Sequence, residues 1–361
     1  MENKNTPLLE EHEDLKAKIA SFGGWNMPIQ YTSIITEHNW TRENCSIFDI
    51  CHMGEFMIYG DPVQTGIDNI LTQDFKNADD NTCHYGFMLN KNAGIIDDVI
   101  IYKIEKDKFM LVVNAATTVK DEQNLMDNLH SGAIIENISE KTAKIDVQGP
   151  MSADVVEQLA GAGIRDLKYY RFGFYNVLGE NVIISRTGYT GELGFEIYIK
   201  TEKAVELWQT LLKDTRVKPA GLGARDTLRL EMSYPLYGHE LDDQTTPYEA
   251  GLDRFVDMDK DFIGKSKLQE NTKKKLCCFV TDSRRSPRHG HKIFKNNKQI
   301  GFVTSGSFSP SIGFAIGMGY VEKKEDEINN EIVIKDDRMQ INAKIVKRPF
   351  YKQGTFKIEL A

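Results

Sequence analysis

Apolar and polar positions alternate in this chain at two different periods, and the changes of period mark its elements. The sharpest strand signal is Ile95-Ile96-Asp97-Asp98-Val99-Ile100-Ile101-Tyr102, a β-branched run interrupted by two adjacent carboxylates near its start. Side chains on a strand alternate between faces, so in a regular strand Asp97 and Asp98 fall on opposite sides of the sheet; the alternative is that both acids belong to a polar turn leading into the strand. Flanking runs predict strands over 85–90 and 109–114, helices over 63–71 and 117–129, and an earlier helix over 33–44. The segment Phe22-Gly-Gly-Trp-Asn-Met-Pro-Ile-Gln-Tyr31 carries two glycines and a proline, and reads as an irregular aromatic loop. Interleaved helices and short strands up to about residue 139 point to an α+β layer.

A new β-rich segment is expected over 143–150 and a strand over 182–185. The second leads into Arg186-Thr-Gly-Tyr-Thr-Gly-Glu-Leu-Gly-Phe-Glu196, where three glycines in seven residues allow sharp turns and close backbone approach. Glu196 falls between Phe195 and Ile197, on the face opposite two apolar neighbours. A helix opens at Gly221-Leu-Gly-Ala-Arg225. A cation near a helix N-terminus serves a partner carboxylate or a ligand better than it serves the helix; the alternative is a surface ion pair, which contributes little. Beyond Lys275 the pattern becomes short β runs at 276–281, 299–305, 313–321, 331–334 and 341–346, an all-β terminal domain.

Composition narrows the classes. A net charge of −8 over 361 residues argues against a general nucleic-acid binder. One basic cluster, Arg284 to Lys295, reads either as a solvated hairpin or as a patch that steers an anionic partner. No run approaches the roughly 20 apolar residues of a membrane span. The five scattered cysteines fit neither zinc spacing nor a redox pair, and favour reduced thiols in a cytoplasmic setting. His52 has no second histidine at ligand spacing and reads as structural. No phosphate-binding glycine loop or nucleophile elbow occurs.

The assembled motifs resemble the glycine cleavage T-protein family of aminomethyltransferases over essentially the whole chain. The residues that carry the resemblance are Phe22 to Tyr31, Phe48-Asp-Ile-Cys-His-Met53, Met88-Leu-Asn90, Ile96-Asp-Asp98, Val112-Val-Asn114, Arg186 to Glu196, Gly221 to Glu231, Phe262-Ile-Gly264 and Thr304-Ser-Gly306. The chain departs from the pattern where Ala93-Gly94 replaces a Gly-Gly pair and Cys51 replaces a serine.

This resemblance implies a multidomain α+β cloverleaf: a discontinuous folate-binding domain over 1–55 and 140–270, an inserted α+β domain over 56–139, and a C-terminal β-barrel-like domain over 271–361. It implies transfer of a one-carbon unit from lipoylated H-protein to tetrahydrofolate, with no metal, by a cytoplasmic monomer that needs neither nucleic acid nor membrane. By motif matching, Asp98 takes the catalytic position, and Tyr85, Asn114, Tyr170, Tyr189, Glu196 and Arg225 take folate-contacting positions. Two rivals share the superfamily. A folate-dependent demethylase is disfavoured by the Ala224 to Glu231 stretch. A non-catalytic folate-binding protein is disfavoured because Lys260-Asp-Phe-Ile-Gly-Lys265 lacks the cysteine of that group.

Overall fold

The computed structural model describes residues 3–268, 272–337 and 339–360. It bears out the α+β class with a terminal all-β domain. Two sheets and a barrel carry the architecture.

The six-stranded sheet runs in the order Phe172–Val177, Glu180–Ser185, Gly194–Lys200, Thr142–Gln148, Cys45–Asp49, Val217–Pro219. One face of this sheet is apolar: Ile145, Val147, Phe195 and Ile197 pack under Trp208 and Leu207 of the helix Ala204–Leu212 and under Val155 and Val156 of the helix Ser152–Ala160. The other face is polar although buried, with Lys144, Asp146, Gln148 and Glu196 in adjacent positions.

The five-stranded sheet is antiparallel throughout, in the order Thr82–Leu89, Ile95–Glu105, Lys108–Val113, Gly54–Tyr59, Ile134–Asn137. Alternation in its second strand does what the period demands. Val99 and Ile101 join Phe56, Leu111 and Leu125 on the side covered by the helix Thr118–Asn128. Ile100 and Tyr102 turn the other way and meet Phe172 and Tyr198 of the first sheet. The gap between the two sheets is therefore where Asp98 looks, and Asp97 faces the helix.

Strands Lys274–Thr281, Ala315–Glu322, Lys298–Phe308, Lys292–Lys295, Glu331–Lys335 and Gln340–Val346 close into a barrel around Phe279, Ile293, Val303 and Ile334. It docks on the helix Leu222–Glu231, whose terminal carboxylate accepts from Arg42, from Ser309 and from Ser311. No helix among the described residues is long and apolar enough to cross a membrane.

Three expectations are corrected. The supposed loop 22–31 contains the strand Trp25–Gln30, paired with Lys18–Phe22 through a turn at Gly23 and Gly24, whose φ of 57° and 85° favours glycine. Pro28 is tolerated there because the ladder is irregular opposite it, between Lys18 and Ile19. The helix expected over 63–71 is only Ile67–Ile70, since Gly66 at φ 80° breaks the preceding turn. The basic run includes a barrel strand, Lys292–Lys295, with Ile293 buried.

Candidate active site

A cavity of about 1420 Å³ opens between the two sheets and the segment 232–239. Tyr85, Asp98, Asn114, Tyr170, Tyr189, Glu196 and Arg225 all line it, so residues up to 140 positions apart in sequence share one chamber.

Asp98 sits at the end of its strand's inward face. Its carboxylate accepts from Tyr85 Oη at 2.9 Å and from Asn114 Nδ2 at 2.9 Å. Burial, then the neighbouring charge of Asp97, pushes its pKa up to about 7 despite these donors. Tyr85 is itself wedged edge-on between Phe87 and Phe255, with ring centroids 5.3 and 4.8 Å away. Asn114 ends the strand Lys108–Val113 and is gripped from behind: Asp97 accepts its backbone N–H at 2.9 Å and its Nδ2 at 2.8 Å. The asparagine is thus both a turn former and a side-chain donor into the chamber.

Two residues explain why Ala93-Gly94 works in place of two glycines. Ala93 adopts φ 66°, a strained but accessible conformation. Gly94 is different: a Cβ there would lie 1.8 Å from the backbone oxygen of Asp243.

Glu196 is buried at the opposite wall. Thr187 Oγ1 donates to it at 2.7 Å and Tyr102 Oη at 3.2 Å, and Lys144 Nζ lies 3.5 Å from its other oxygen. Burial raises its pKa, but Lys144 and then Thr187 outweigh that, and the net shift is downward. It is a carboxylate with one oxygen bonded by protein hydroxyls and the other turned toward a cation and the cavity. Arg225 pairs with Asp146, directly across the ladder from Glu196, and its guanidinium lies 5.0 Å over the Tyr189 ring. The partner carboxylate that the helix-terminal cation called for is therefore Asp146, whose pKa burial pushes up to about 6 even against Arg225. Tyr189 stacks on Tyr234 at 5.8 Å and donates to the Pro235 carbonyl. Tyr170 enters from a backbone turn at φ 61°, with its ring against Tyr169.

His52 lines the chamber too, packed edge-on against Phe22, and burial lowers its pKa to about 4, so it is neutral. Lys144 and Asp146 escaped the sequence reading. Their signal was present: Lys144, Asp146 and Gln148 recur at period two between Ala143, Ile145 and Val147, a polar stripe on a strand whose other face is wholly apolar. Such a stripe, on a strand central to its sheet, must be covered by something polar.

The architecture defines an α+β enzyme class: two sheets enclosing a chamber with paired acids and cations, with a C-terminal barrel docked beside them. Residues 8–260 match the family described as GCVT N-terminal domain, and residues 274–352 match the glycine cleavage T-protein C-terminal barrel domain. An aminomethyltransferase of Caldanaerobacter subterraneus is 42% identical over 361 residues, covering 97% of this chain and 96% of the relative. One of Halothermothrix orenii is 42% identical over 355 residues, covering 96% and 99%. The crystal structure of glycine cleavage system aminomethyltransferase T from Bartonella henselae superposes with a TM-score of 0.92 at 32% identity, covering 98% of this chain and 99% of that one. The chain belongs to the glycine cleavage T-protein family of aminomethyltransferases.

Proposed function

We propose that this protein transfers the methylene of an aminomethyl group, carried on the lipoyl arm of H-protein, to tetrahydrofolate. The observation that carries this reading is the convergence in one chamber of Asp98, poised to exchange a proton near neutral pH, and Glu196, an ionised carboxylate on the opposite wall. The chamber's 1420 Å³ exceeds the roughly 300–1,000 Å³ usual for one small ligand, which suits two reactants meeting.

In this reading Glu196 accepts the adjacent amino and ring N–H groups of the pterin, a charge-assisted pair. Tyr85, Tyr170 and Tyr189 supply ring faces and edges, and Arg225 completes the wall through Asp146. The donor set fits: Glu196 has an oxygen facing the cavity, and Asp98 has both oxygens fixed by Tyr85 and Asn114.

The reaction breaks the carbon–sulfur and carbon–nitrogen bonds of the aminomethyl group. It forms two carbon–nitrogen bonds to folate N5 and N10. The two protons those nitrogens lose go to the departing ammonia and to the lipoyl sulfur. Asp98, with a pKa near 7, can take a proton from one amine and return it to a leaving group without leaving the neutral range. Much of the remaining rate enhancement comes from holding amine against methylene. The reading calls for no metal and no second copy of the chain, and sets the enzyme in the cytoplasm. Purified protein mixed with aminomethyl-lipoyl-H-protein and tetrahydrofolate should form 5,10-methylenetetrahydrofolate and ammonia. Absence of both products with properly loaded H-protein would overturn it.

A further inference from the structure

Behind the wall that carries Asp98, two more carboxyl groups meet out of contact with solvent. Asp97 faces the helix Thr118–Asn128, and Asp121 in the first turn of that helix faces back; both are fully buried, and they lie close enough for the charge of Asp97 to act on Asp121. The donors around them are unevenly shared. Asp97 takes two, the N–H and Nδ2 of Asn114, at 2.9 and 2.8 Å. Asp121 takes none: the nearby Thr117 hydroxyl spends its proton on the Asn114 carbonyl at 2.9 Å, and no other protein donor reaches either oxygen among the described residues. Two carboxylates cannot face each other unprotonated in such a place. One proton must lie between them, and the donor count puts it on Asp121.

We propose that Asp121 is a positioning residue: as a neutral acid it donates to Asp97, which stays ionised, clamps both nitrogens of Asn114, and through that amide and its own charge sets the state of Asp98. The inference rests on the reading that Asp98 is the proton-exchanging group of the chamber.

The surroundings support this division. On the same strand stands Asp98; on the helix, Lys120, whose ammonium donates to Ile96 O at 3.1 Å and to Tyr237 Oη at 2.9 Å rather than to either acid. The segment packed over the strand's start brings Tyr237, Asp242 and Asp243, all on the side that disfavours further negative charge. The neighbouring strand opposes Asp97 with Met88, which offers no proton. Burial and then the Asp97 charge push Asp121 up to about 9; burial raises Asp97 as well, with the Asn114 donors opposing that rise. Burial first, and then that same Asp97 charge, keep Asp98 near 7. A buried neutral acid two residues deep thus maintains a constant negative charge beside the working one.

Infrared spectroscopy of the full-length protein separates the groups, because only protonated carboxyls show the free-acid carbonyl stretch. Glu55 and Asp146 are also raised, to about 8 and about 6, so the bands are assigned by difference spectra: wild type minus Asp121→Asn should show a band that does not titrate through neutral pH, and wild type minus Asp98→Asn a band that titrates near 7. Asp121→Asn, which keeps a donor toward Asp97, should lose the first band and keep the second at its midpoint. Asp121→Leu, which removes the donor, drives the proton onto Asp97; the second midpoint then falls by on the order of one pH unit. Persistence of the non-titrating band in Asp121→Asn overturns the proposal. So does an unmoved Asp98 midpoint in Asp121→Leu; should that variant fail to fold, the asparagine variant still decides. Asp98→Asn, assayed for transfer, tests the underlying reading separately. If it retains full activity while the Asp121 bands behave as stated, the role of Asp98 fails and the protonated pair stands.

Discussion

Glu196 and Asp146 face each other across two paired strands, an arrangement that would repel were each not given its own cation, Lys144 and Arg225. That pairing makes each acid's charge part of the wall. Replacing Glu196 with glutamine keeps the hydroxyl contacts of Thr187 and Tyr102 possible but strips the charge facing the pterin. Tetrahydrofolate affinity should fall by about 1.5–3 kcal/mol, measured by calorimetry; unchanged affinity would exclude Glu196 as the anchor. For Asp98 the sign follows from its raised pKa. It is protonated, and unable to accept, below about 7. Transfer rate at saturating substrates should therefore decline as pH falls through 7, and this limb should vanish from the residual rate of Asp98→Asn. A profile whose acid limb survives that substitution would assign the proton to another group.

At the scale of elements, the turn before the Asp98 strand shows how local geometry aims the site. Asn90 Oδ1 accepts from the N–H of Asn92 and of Gly94, while its Nδ2 donates to Asp243 O, so the turn is pinned to a distant segment. Gly94→Ala would drive a methyl into that same Asp243 carbonyl. It should cost roughly 1–3 kcal/mol in denaturant unfolding and lower transfer with it; a neutral midpoint would mean the segment 242–245 yields easily. The Asp98 strand was legible because β-branched residues outnumber every competing signal in it, but its two acids were also compatible with a polar turn, and only the ladder with Met88 and Phe87 places them within the strand. The strand Trp25–Gln30 was not, because Gly23, Gly24 and Pro28 are breakers by local propensity and become a hairpin only through pairing with Lys18–Phe22. Lys292–Lys295 was hidden for another reason: its two apolar residues sit among cations, and only barrel closure gives Ile293 an inside. In the chamber, residues within long motifs could be named from sequence. Lys144 and Asp146 were passed over despite their period-two stripe, and Asp121, behind the wall, carried no signal, since each acquires meaning from a partner on another element.

Across the whole molecule, the barrel and the sheets meet at Glu231. Its pKa is held down to about 2: burial opposes, but hydrogen bonding to His38 first, then the charges of His38 and Arg42, prevail. Its contribution to stability is thus present above the ordinary glutamate range and lost only as pH falls toward 2. The barrel also presents the basic run. Lys295 and His291 are engaged by Glu325 and Asp336, and Arg284 lies over Phe308, so the run is partly neutralised in place. Arg284 and Arg288 remain the residues to reverse: changing both to Glu should raise the KM for H-protein and flatten its salt dependence, whereas wild-type values would make the run a barrel hairpin and no more. Which of two adjacent acids faces the chamber decides where the chemistry is carried. Stopped-flow transfer at saturating folate, comparing Asp98→Asn with Asp97→Asn, tests it most directly. The rate should fall roughly 10²–10⁴-fold for Asp98→Asn and far less for Asp97→Asn; a larger loss for Asp97→Asn would contradict the assignment of Asp98 as the group that carries the chemistry.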